Sequence, residues 1–318
     1  GTETVANRLV DGLKRLEYRG YDSAGIAVRA GPKVERRRAQ GKIVNLEAVM
    51  AEAPIDGLMG IAHTRWATHG QPNEINAHPH MSGKVAIVHN GIIENFRELR
   101  DELQADGRSF ESETDSEVIA QLIDKNMNDG MDAVDAFEAA LKKLSGAFAI
   151  AAIFADDTDL LIGARKGSPL VLGYGEGEMF LGSDAIALAP FTRDVTYLEE
   201  GDWVVLTPDS HDIRNVDGER VNRPRVQSAV NESLIERGEY DHFMLKEIHE
   251  QPESLARSIL PYIDQATQTL NLGDVADKMF AGADRAVAIA CGTAYYAAHT
   301  AKYWFEQKAR LALETDIA

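Results

Sequence analysis

Two short segments of this sequence carry polar side chains directly after apolar strands. His63 to Gly70 follows the apolar residues 60–62, and Asn90-Gly91 follows the apolar residues 85–88. Buried strands that end in this way deliver side chains to the rim of a sheet, where binding sites are built. Within the first segment, the guanidinium of Arg65 can hold a carboxylate through two parallel hydrogen bonds. The Asn90 amide and the Gly91 N–H can hold the oxyanion of an acyl-transfer intermediate. Together they predict a site for an amino-acid amide.

Each feature also has a simpler interpretation. An arginine at a strand end commonly forms a surface salt bridge, and Asn-Gly is the strongest short signal for a hairpin turn. Short motifs match by chance often. Taken singly, Arg65 and Asn90-Gly91 therefore favour the structural interpretation, and only their combination favours a site.

The elements that must position these residues follow from hydrophobic periodicity. Helical spacing opens the chain from Val5 to Leu16, and alternating or continuous apolar runs indicate many short strands between residues 24 and 206. Thr114 and Glu117 have the spacing of a capping box, which places Asp115 in a first helical turn, where its charge also favours the helix dipole. Helices layered against antiparallel sheets predict an α+β sandwich of four layers.

Residues 71–80 are rich in proline, asparagine and histidine. We predict a loop that is too polar for the core and that closes over a ligand. Three consecutive arginines, 36–38, are most simply a solvated strand edge that discourages aggregation. Five histidines in this region raise the question of a metal site, but no cysteine is near and no pair has helical i, i+4 spacing, so no metal is expected. The five are His63, His69, His78, His80 and His89.

The composition excludes several classes of partner. The chain has 33 basic and 51 acidic residues, a net charge of −18, which opposes binding to nucleic acid or to an anionic membrane. The excess fits an acid-coated protein from a salty cytoplasm, with an ordinary acidic cytosolic enzyme as the alternative. The one cysteine, Cys291, excludes an intrachain disulfide framework. No signal-peptide pattern or bilayer-length apolar run is present, so a cytoplasmic location is expected.

The C-terminal third has a different texture. After about Pro208 the chain is polar and turn-rich, which is typical of a linker, and a helical connector follows from Tyr240. Residues 285–301 then predict a buried strand, a small-residue turn and a helix. The turn at Gly292-Thr293 could receive a phosphate at the helix N-terminus, or it could be an ordinary turn of an α/β domain.

Three longer motifs resemble one family. Leu16 to Gly25, His63 to Gly70 and Val88 to Asn95 are similar to the glutaminase domain of the glutamine:fructose-6-phosphate aminotransferase family, and further matches extend almost end to end. The further matches are at 112–115, 165–170, 198–202, 246–252 and 290–293. The resemblance implies a four-layer αββα N-terminal-nucleophile glutaminase domain over 1–210, a linker and helical connector over 211–276, and the start of an α/β sugar-isomerase (SIS) domain over 277–318.

The resemblance also implies roles for individual residues. The glutaminase domain would release ammonia from L-glutamine, and the isomerase domain would use it to convert fructose 6-phosphate to glucosamine 6-phosphate, without a cofactor or a metal and as a homodimer. Arg65 would bind the α-carboxylate of glutamine, Asp115 its ammonium, and Asn90 with Gly91 would form the oxyanion hole. The remaining implied site residues are Thr68 and His69 in the pocket, Trp66 as the gate for ammonia, Arg19 and Asp22 as orienting residues, and Thr293 as a phosphate contact.

Two departures from the family pattern bear on activity. The family begins with Cys-Gly-Ile, whose thiol attacks the amide while the α-amine acts as base, whereas this sequence begins Gly1-Thr2-Glu3. Cys291 falls in the other predicted domain and cannot substitute. Ala318 falls early in the isomerase domain. We therefore expect this polypeptide to bind glutamine without turnover, and the departures favour a piece of a longer enzyme over an evolved binding module.

Two other functions stay open at this point. Another glutamine-dependent enzyme with the same domain, such as an amidophosphoribosyltransferase, would continue into a phosphoribosyl-binding domain rather than into the segment Ala290-Cys-Gly-Thr293. A non-catalytic sensor would bind glutamine or a sugar phosphate and produce no ammonia.

Overall fold

A computed structural model describes residues 4–17, 20–66, 69–157, 159–228, 239–264, 267, 269–270, 273 and 282–318. The chain divides into two compact units, Gly1–Glu236 and Arg237–Ala318. Each unit is described by itself, and the first carries most of the predicted site.

The first unit begins with two helices packed on a three-stranded antiparallel sheet of order β2-β1-β3. Strand β1 alternates, since Ile26 and Val28 pack towards the helices while Ala27 packs towards a second sheet. Residues i and i+2 of a strand share a face, which gives this three-stranded sheet two buried faces. The elements are α1 (Val5–Lys14), β1 (Ser23–Ala30), β2 (Lys33–Gln40), α2 (Ile43–Glu52) and β3 (Gly60–Arg65).

A six-stranded antiparallel sheet of order β12-β11-β7-β6-β5-β4 forms the next layer. Its outer face packs on three helices, where Ile87, Ile123 and Phe137 are almost fully buried. The elements are β4 (His80–Ser82), β5 (Val85–Ile93), α3 (Phe96–Ala105), α4 (Glu117–Asn128), α5 (Ala133–Leu141), β6 (Gly146–Phe154), β7 (Leu161–Lys166), β11 (Trp203–Leu206) and β12 (His211–Arg214).

The two sheets pack face to face. Ala27 and Ile61 of the first sheet meet Ala86, Ala151 and Ile153 of the second, while helices cover both outer faces. The predicted four-layer α+β architecture is confirmed. A four-stranded sheet of order β13-β10-β8-β9 packs on the remaining part of the six-stranded sheet. Its elements are β8 (Val171–Tyr174), β9 (Met179–Gly182), α6 (Ala185–Leu188), β10 (Asp194–Tyr197) and β13 (Val226–Gln227).

Part of the predicted linker belongs to this core. Strand β12, from residue 211, pairs with β11 along its whole length. Further along, Arg223 donates two hydrogen bonds, of 2.8 and 2.9 Å, to the carboxylate of Asp202, which is fully buried. A polar sequence here reflects an edge strand and an ion pair, not a free linker.

Two local predictions, for residues 36–38 and 71–80, are only partly right. Strand β2 lies at the edge of its sheet as predicted, but Arg38 is buried and donates to the carbonyls of Ile75 and Ala77 and to the carboxylate of Glu111, so it is not solvated. Residues 71–79 form a loop as predicted, but residues 76–80 are buried, because the histidines there hydrogen-bond to side chains around the start of α4. Polarity alone did not reveal that these groups partner each other.

The predicted capping box is also wrong. Helix α4 begins at Glu117, so Asp115 lies before the helix and not in its first turn. The Glu117 carboxylate accepts hydrogen bonds from the Ser112 N–H and hydroxyl, each 2.6 Å, and from the Glu111 N–H at 2.8 Å. Thr114 instead contacts His80. The loop before α4 is thus tied down by buried hydrogen bonds.

The second unit contains a long helix and a parallel strand pair around a helix. Strands β16 (Arg285–Ala290) and β17 (Ala312–Ile317) pair in parallel over six residues, and helix α8 (Gly292–Trp304) lies between them in the chain. This βαβ unit fits the α/β pattern predicted there. The elements are α7 (Phe243–Ile259), β14 (Ile263–Asp264), β15 (Thr269–Leu270), β16 (Arg285–Ala290), α8 (Gly292–Trp304) and β17 (Ala312–Ile317). Across the described ranges, no helix has both the length and the hydrophobicity that crossing a bilayer requires.

Candidate active site

A cavity of about 550 Å³ lies between the sheets of the first unit. Its polar lining includes the predicted site residues Arg65, Asn90, Gly91 and Asp115 together with Arg8 and Glu178, and its apolar lining comes largely from α1, β6 and β9. In the described part of the chain, β3 pairs only with β1, and β9 pairs only with β8. Both unpaired strand edges border the cavity.

Strand alternation explains why the two predicted segments meet here. In β3, Ile61 packs into the space between the sheets, and Arg65 shares its parity. In β5, Ala86 and Val88 pack into the same space, so Asn90 also faces it. The period of two therefore brings Arg65 and Asn90 to one cavity from two different sheets.

The guanidinium of Arg65 is 4% exposed and holds the loop that follows it. It donates to the carbonyls of His69, Gly70 (3.3 Å) and Gln71 (3.2 Å), and it lies 3.9 Å from the carboxylate of Asp22. Burial lowers the pKa of Arg65 from its ordinary value, and the charges of Asp22 and Asp115 oppose that shift. Arginine stays charged under such conditions.

Asp115 supplies an anion to the same cavity. Its Oδ2 accepts a hydrogen bond of 2.8 Å from the N–H of Ile93 at the end of β5, and its Oδ1 lies 4.0 Å from Nδ1 of His69. The residue is 3% exposed. A backbone hydrogen bond to one oxygen fixes the orientation of this carboxylate. Arg65 and Asp115 therefore present a buried cation and a buried anion to the cavity, whose lining also includes the ion pair of Arg8 with Glu178 and the residue Asp159.

Asn90 and Gly91 lie at the surface of the cavity, and both are exposed. The Oδ1 of Asn90 is 2.8 Å from Nε2 of His63. Gly91 has φ of +117°, and a Cβ there would lie 2.1 Å from the carbonyl oxygen of Ala147. Only glycine fits this position, because of both the backbone angle and the lack of space. The Asn-Gly pair is not a hairpin turn, since β5 continues through it to Ile93.

The other predicted site residues in this unit surround the cavity. Trp66 is 62% exposed and packs edge to face on Tyr21, with ring centroids 5.5 Å apart. The ring of His69 packs on Phe96. The Asp22 side chain accepts a hydrogen bond of 2.8 Å from the Ser23 hydroxyl and lies beside Arg65. Thr68 and Arg19 lie outside the described residues.

Four of the five clustered histidines form a buried array, which the residue pattern did not predict. The rings of His63 and His78 have centroids 4.2 Å apart, and those of His78 and His80 are 4.6 Å apart. Nε2 of His78 and Nδ1 of His89 lie 3.0 and 2.9 Å from the Ser116 hydroxyl. Strand alternation could have predicted part of this array, because His63 lies two residues before Arg65 in β3 and so shares its buried face.

Burial keeps these four rings neutral. Desolvation lowers the pKa of His63 and of His89 to about 4, and it lowers those of His78 and His80 well below 6.5. The Asn90 contact opposes this effect at His63. The described residues include no group of three or more histidine, cysteine or acidic side chains arranged to hold a metal ion.

Thr293 belongs to the second unit. It is the second residue of α8, directly after Gly292, and it is exposed. The predicted order of strand, turn and helix is confirmed here, with Cys291 as the residue that precedes the helix. The predicted burial of the strand is wrong, since Val287 and Ile289 of β16 are 53% and 65% exposed. The role of Thr293 in holding a phosphate stays a prediction.

Comparison with known proteins agrees with the geometry of the first unit. Residues 63–190 match the family model described as a glutamine amidotransferase domain. The chain carries a glutamine amidotransferase domain. The match begins at His63 and includes Arg65, Asn90, Gly91 and Asp115. The amidotransferase domain thus contains the cation, the anion and the Asn-Gly pair that line the cavity.

Relatives of the whole chain point to one kind of enzyme. A protein of Bradyrhizobium diazoefficiens named glutamine--fructose-6-phosphate aminotransferase [isomerizing] is 54% identical over 318 residues, which is all of this chain and 52% of that protein. A protein of the same name from Caulobacter vibrioides is 56% identical over 319 residues, with the same shares covered. The chain is homologous to these aminotransferases, and it spans about half of their length.

Solved structures show the same fold for the amidotransferase domain. A glutamine phosphoribosylpyrophosphate amidotransferase from B. subtilis aligns with a TM-score of 0.61 at 20% identity, covering 99% of this chain and 64% of that one. An allosteric regulatory enzyme of purine biosynthesis aligns with a TM-score of 0.56 at 26% identity, covering 66% of this chain and 46% of that one. At 20% identity the first likeness establishes the fold alone.

Proposed function

We propose that the first unit binds L-glutamine through its α-carboxylate and α-ammonium. The observation that carries this proposal is that the Arg65 guanidinium and the Asp115 carboxylate, both almost fully buried, line one cavity. A fixed cation and a fixed anion select a zwitterion. Because both groups are largely buried, a ligand that leaves either charge unmatched should bind poorly. Asp115 is already held by the Ile93 N–H, so ammonium binding does not have to order it.

The side-chain amide of glutamine would then reach Asn90 and Gly91. Two donors, the Asn90 Nδ2 group and the Gly91 N–H, would stabilise the oxyanion that forms when a nucleophile attacks the amide carbon. Removing one donor of this kind costs about 10²–10³ in kcat in well-studied hydrolases. Trp66 and His69 line the same cavity, and we propose that they cover the bound amino acid and guide the released ammonia.

The attacking group in the family is the thiol of a cysteine on a strand that begins Cys-Gly-Ile. No cysteine lines the cavity in the described part of the chain. The cavity is larger than one amino acid needs, and the unpaired edges of β3 and β9 border it. We propose that such a cysteine-bearing strand fits between these edges and adds to the sheets by backbone hydrogen bonds. Fusing that strand ahead of residue 1 should produce glutamate release, and a Cys-to-Ala version of the fusion should not.

For the whole protein we propose the activity that its relatives are named for. Ammonia from glutamine would be transferred to fructose 6-phosphate, giving glucosamine 6-phosphate and glutamate. The βαβ unit at residues 285–317 would begin the sugar-isomerase part, with Thr293 contacting the phosphate. A homodimer, a cytoplasmic location and the absence of any cofactor belong to the same proposal. The 54% identity over the full chain supports this reaction over that of an amidophosphoribosyltransferase or of a non-catalytic sensor.

Calorimetric binding to this polypeptide tests the first step. Glutamine should bind to the wild type, and glutaramic acid, which lacks the α-ammonium, should bind more weakly. Asp115→Asn should weaken glutamine binding about 10- to 100-fold, as loss of a charged hydrogen bond does, and should abolish the preference over glutaramic acid. Asp156→Asn is the matched control, because Asp156 is an exposed partner of Lys84.

Two results would contradict the proposal. One is a wild type that binds neither ligand at millimolar concentration. The other is an Asp115→Asn variant that keeps the preference for glutamine over glutaramic acid, because the anion would then have no part in recognising the ammonium.

A further inference from the structure

The amide of Asn90 is useful for catalysis in only one of its two orientations. If the NH₂ group faces the cavity, it donates to a developing oxyanion. If the carbonyl oxygen faces the cavity, it repels that oxyanion. The two orientations have the same shape, so a hydrogen-bond partner on the far side of the amide must choose between them.

That partner is His63. Its Nε2 lies 2.8 Å from the Asn90 oxygen, and the ring is 9% exposed. A ring that carries its proton on Nε2 donates to the oxygen and turns the NH₂ group towards the cavity. A ring that carries its proton on Nδ1 would accept from the NH₂ group and reverse the amide. The tautomer of His63 therefore decides the orientation of Asn90.

The surroundings of the ring select the Nε2–H tautomer. Within the described ranges, the buried Nδ1 of His63 has no hydrogen-bond partner. A proton on that atom would leave a buried N–H unpaired, which folded proteins rarely tolerate, whereas a bare nitrogen lone pair costs less. With the proton on Nε2, the donor is paired with Asn90 and only the lone pair lies unpartnered.

The buried array holds the ring in place. His63 packs against His78, whose Nε2 is 3.0 Å from the Ser116 hydroxyl, and Nδ1 of His89 approaches the same oxygen at 2.9 Å. Ser116 directly precedes α4 and directly follows Asp115. The array thus links the residue that orients Asn90 to the segment that carries the anion of the site.

We propose that His63 is a positioning residue, which acts by donating from Nε2 to Asn90 and so aims the Asn90 NH₂ group at the reacting amide of the substrate. This inference rests on the proposed function, because it assigns a partner to a residue of the same site. His63 itself does not touch the substrate in this account.

Binding selectivity tests the proposal without any need for turnover. L-Glutamine and L-norvaline share the α-carboxylate and α-ammonium, but only glutamine carries a side-chain carbonyl for Asn90. His63→Leu should reduce the ratio of glutamine affinity to norvaline affinity about 3- to 10-fold, as loss of one neutral hydrogen bond does. His63→Gln, which keeps an N–H donor of similar reach, should restore most of the ratio.

Gln121→Leu is the matched control, since Gln121 is a buried polar residue outside the array and donates to the Ser109 carbonyl rather than contacting Asn90. It should lower the melting temperature like His63→Leu and leave the ratio unchanged. Equal weakening of both ligands by His63→Leu, or a changed ratio in Gln121→Leu, would mean that His63 is only structural, and would overturn the proposal.

A spectroscopic measurement decides the same point without a ligand. The ¹⁵N shifts of the His63 ring should report a proton on Nε2 at pH 7, and an Nδ1–H tautomer would refute the inference directly. If the wild type binds neither amino acid, the proposed function fails, while the tautomer still decides whether His63 orients Asn90.

Discussion

The four buried histidines should make the stability of the first unit fall steeply between pH 7 and 5.5. In the folded chain, His63 and His89 have a pKa of about 4, and the pKa values of His78 and His80 are lowered well below 6.5. In the unfolded chain each ring regains its ordinary pKa of about 6.5. The unfolded state therefore takes up protons as the pH drops through 6.5, while the folded state does not.

The sign follows from linkage, because acid favours the state that binds more protons. The stability from these lowered pKa values is present above 6.5 and is lost as the pH falls towards 4. Each ring that stays neutral in the folded state costs about 1.3 kcal/mol between pH 7 and 5.5, so four rings cost about 5 kcal/mol. The pKa values of Glu111 and Glu178 are lowered from the ordinary value of 4.5. At Glu111 burial raises the pKa but Arg36 and Arg38 outweigh it, and at Glu178 the hydrogen bond to Arg8 outweighs burial. Both carboxylates therefore hardly take up protons between pH 7 and 5.5.

Urea unfolding at the two pH values measures this loss. The fluorescence of Trp203, which is 2% exposed in the first unit, reports unfolding when the other two tryptophans are replaced by Trp66→Phe and Trp304→Phe. The slope of the free energy of unfolding against urea should be the same at both pH values, so that the difference reflects stability and not compactness.

Single substitutions apportion the loss. His80→Gln should reduce the loss by about a quarter, about 1.3 kcal/mol, because one proton is no longer taken up on unfolding. His211→Gln is the control, since His211 is exposed and should leave the loss unchanged. A total loss below about 1 kcal/mol would refute the reasoning, because it would mean that these rings are protonated in the folded chain.

Three further predictions concern Gly91, the buried ion pair of Arg223 with Asp202, and the net charge. Gly91→Ala should lower the free energy of unfolding by about 2–4 kcal/mol. Gly107→Ala, at a similar positive φ but with nothing within 4 Å, should cost only about 1 kcal/mol, so equal losses in thermal melts would contradict the steric argument. Arg223→Met should cost about 3 kcal/mol, because it leaves the buried Asp202 carboxylate without its cation. Arg220→Met, which removes an exposed arginine from Asp212, should cost under about 1 kcal/mol in the same urea assay, and a reversed order would be evidence against this account. The net charge of −18 predicts a melting temperature that rises in molar potassium chloride, and no rise would favour an ordinary acidic protein over one adapted to salt.

Much of the fold could be predicted from local patterns. Apolar runs predicted short strands between residues 24 and 206, where the structure has β1 to β11, and helical spacing predicted α1. These patterns work because a strand with one buried face, or a helix with one buried stripe, repeats its apolar residues at a fixed period. Errors arose where polar residues are buried, as at Arg38 and at 76–80, because composition does not show which partner satisfies them.

For the site, the sequence by itself determined the chemical inventory and the family. The types of Arg65, Asn90 and Gly91 were sufficient to predict a site for an amino-acid amide, since each carries a side chain or backbone group of known use, whereas the predicted role of Asp115 came from the family resemblance. Only the tertiary structure decided how these groups are held. Asp115 is fixed by the end of β5, which is 22 residues away along the chain, and His63 meets Asn90 across two sheets. Such pairings depend on how separate strands and helices pack, and no local period of a sequence encodes them.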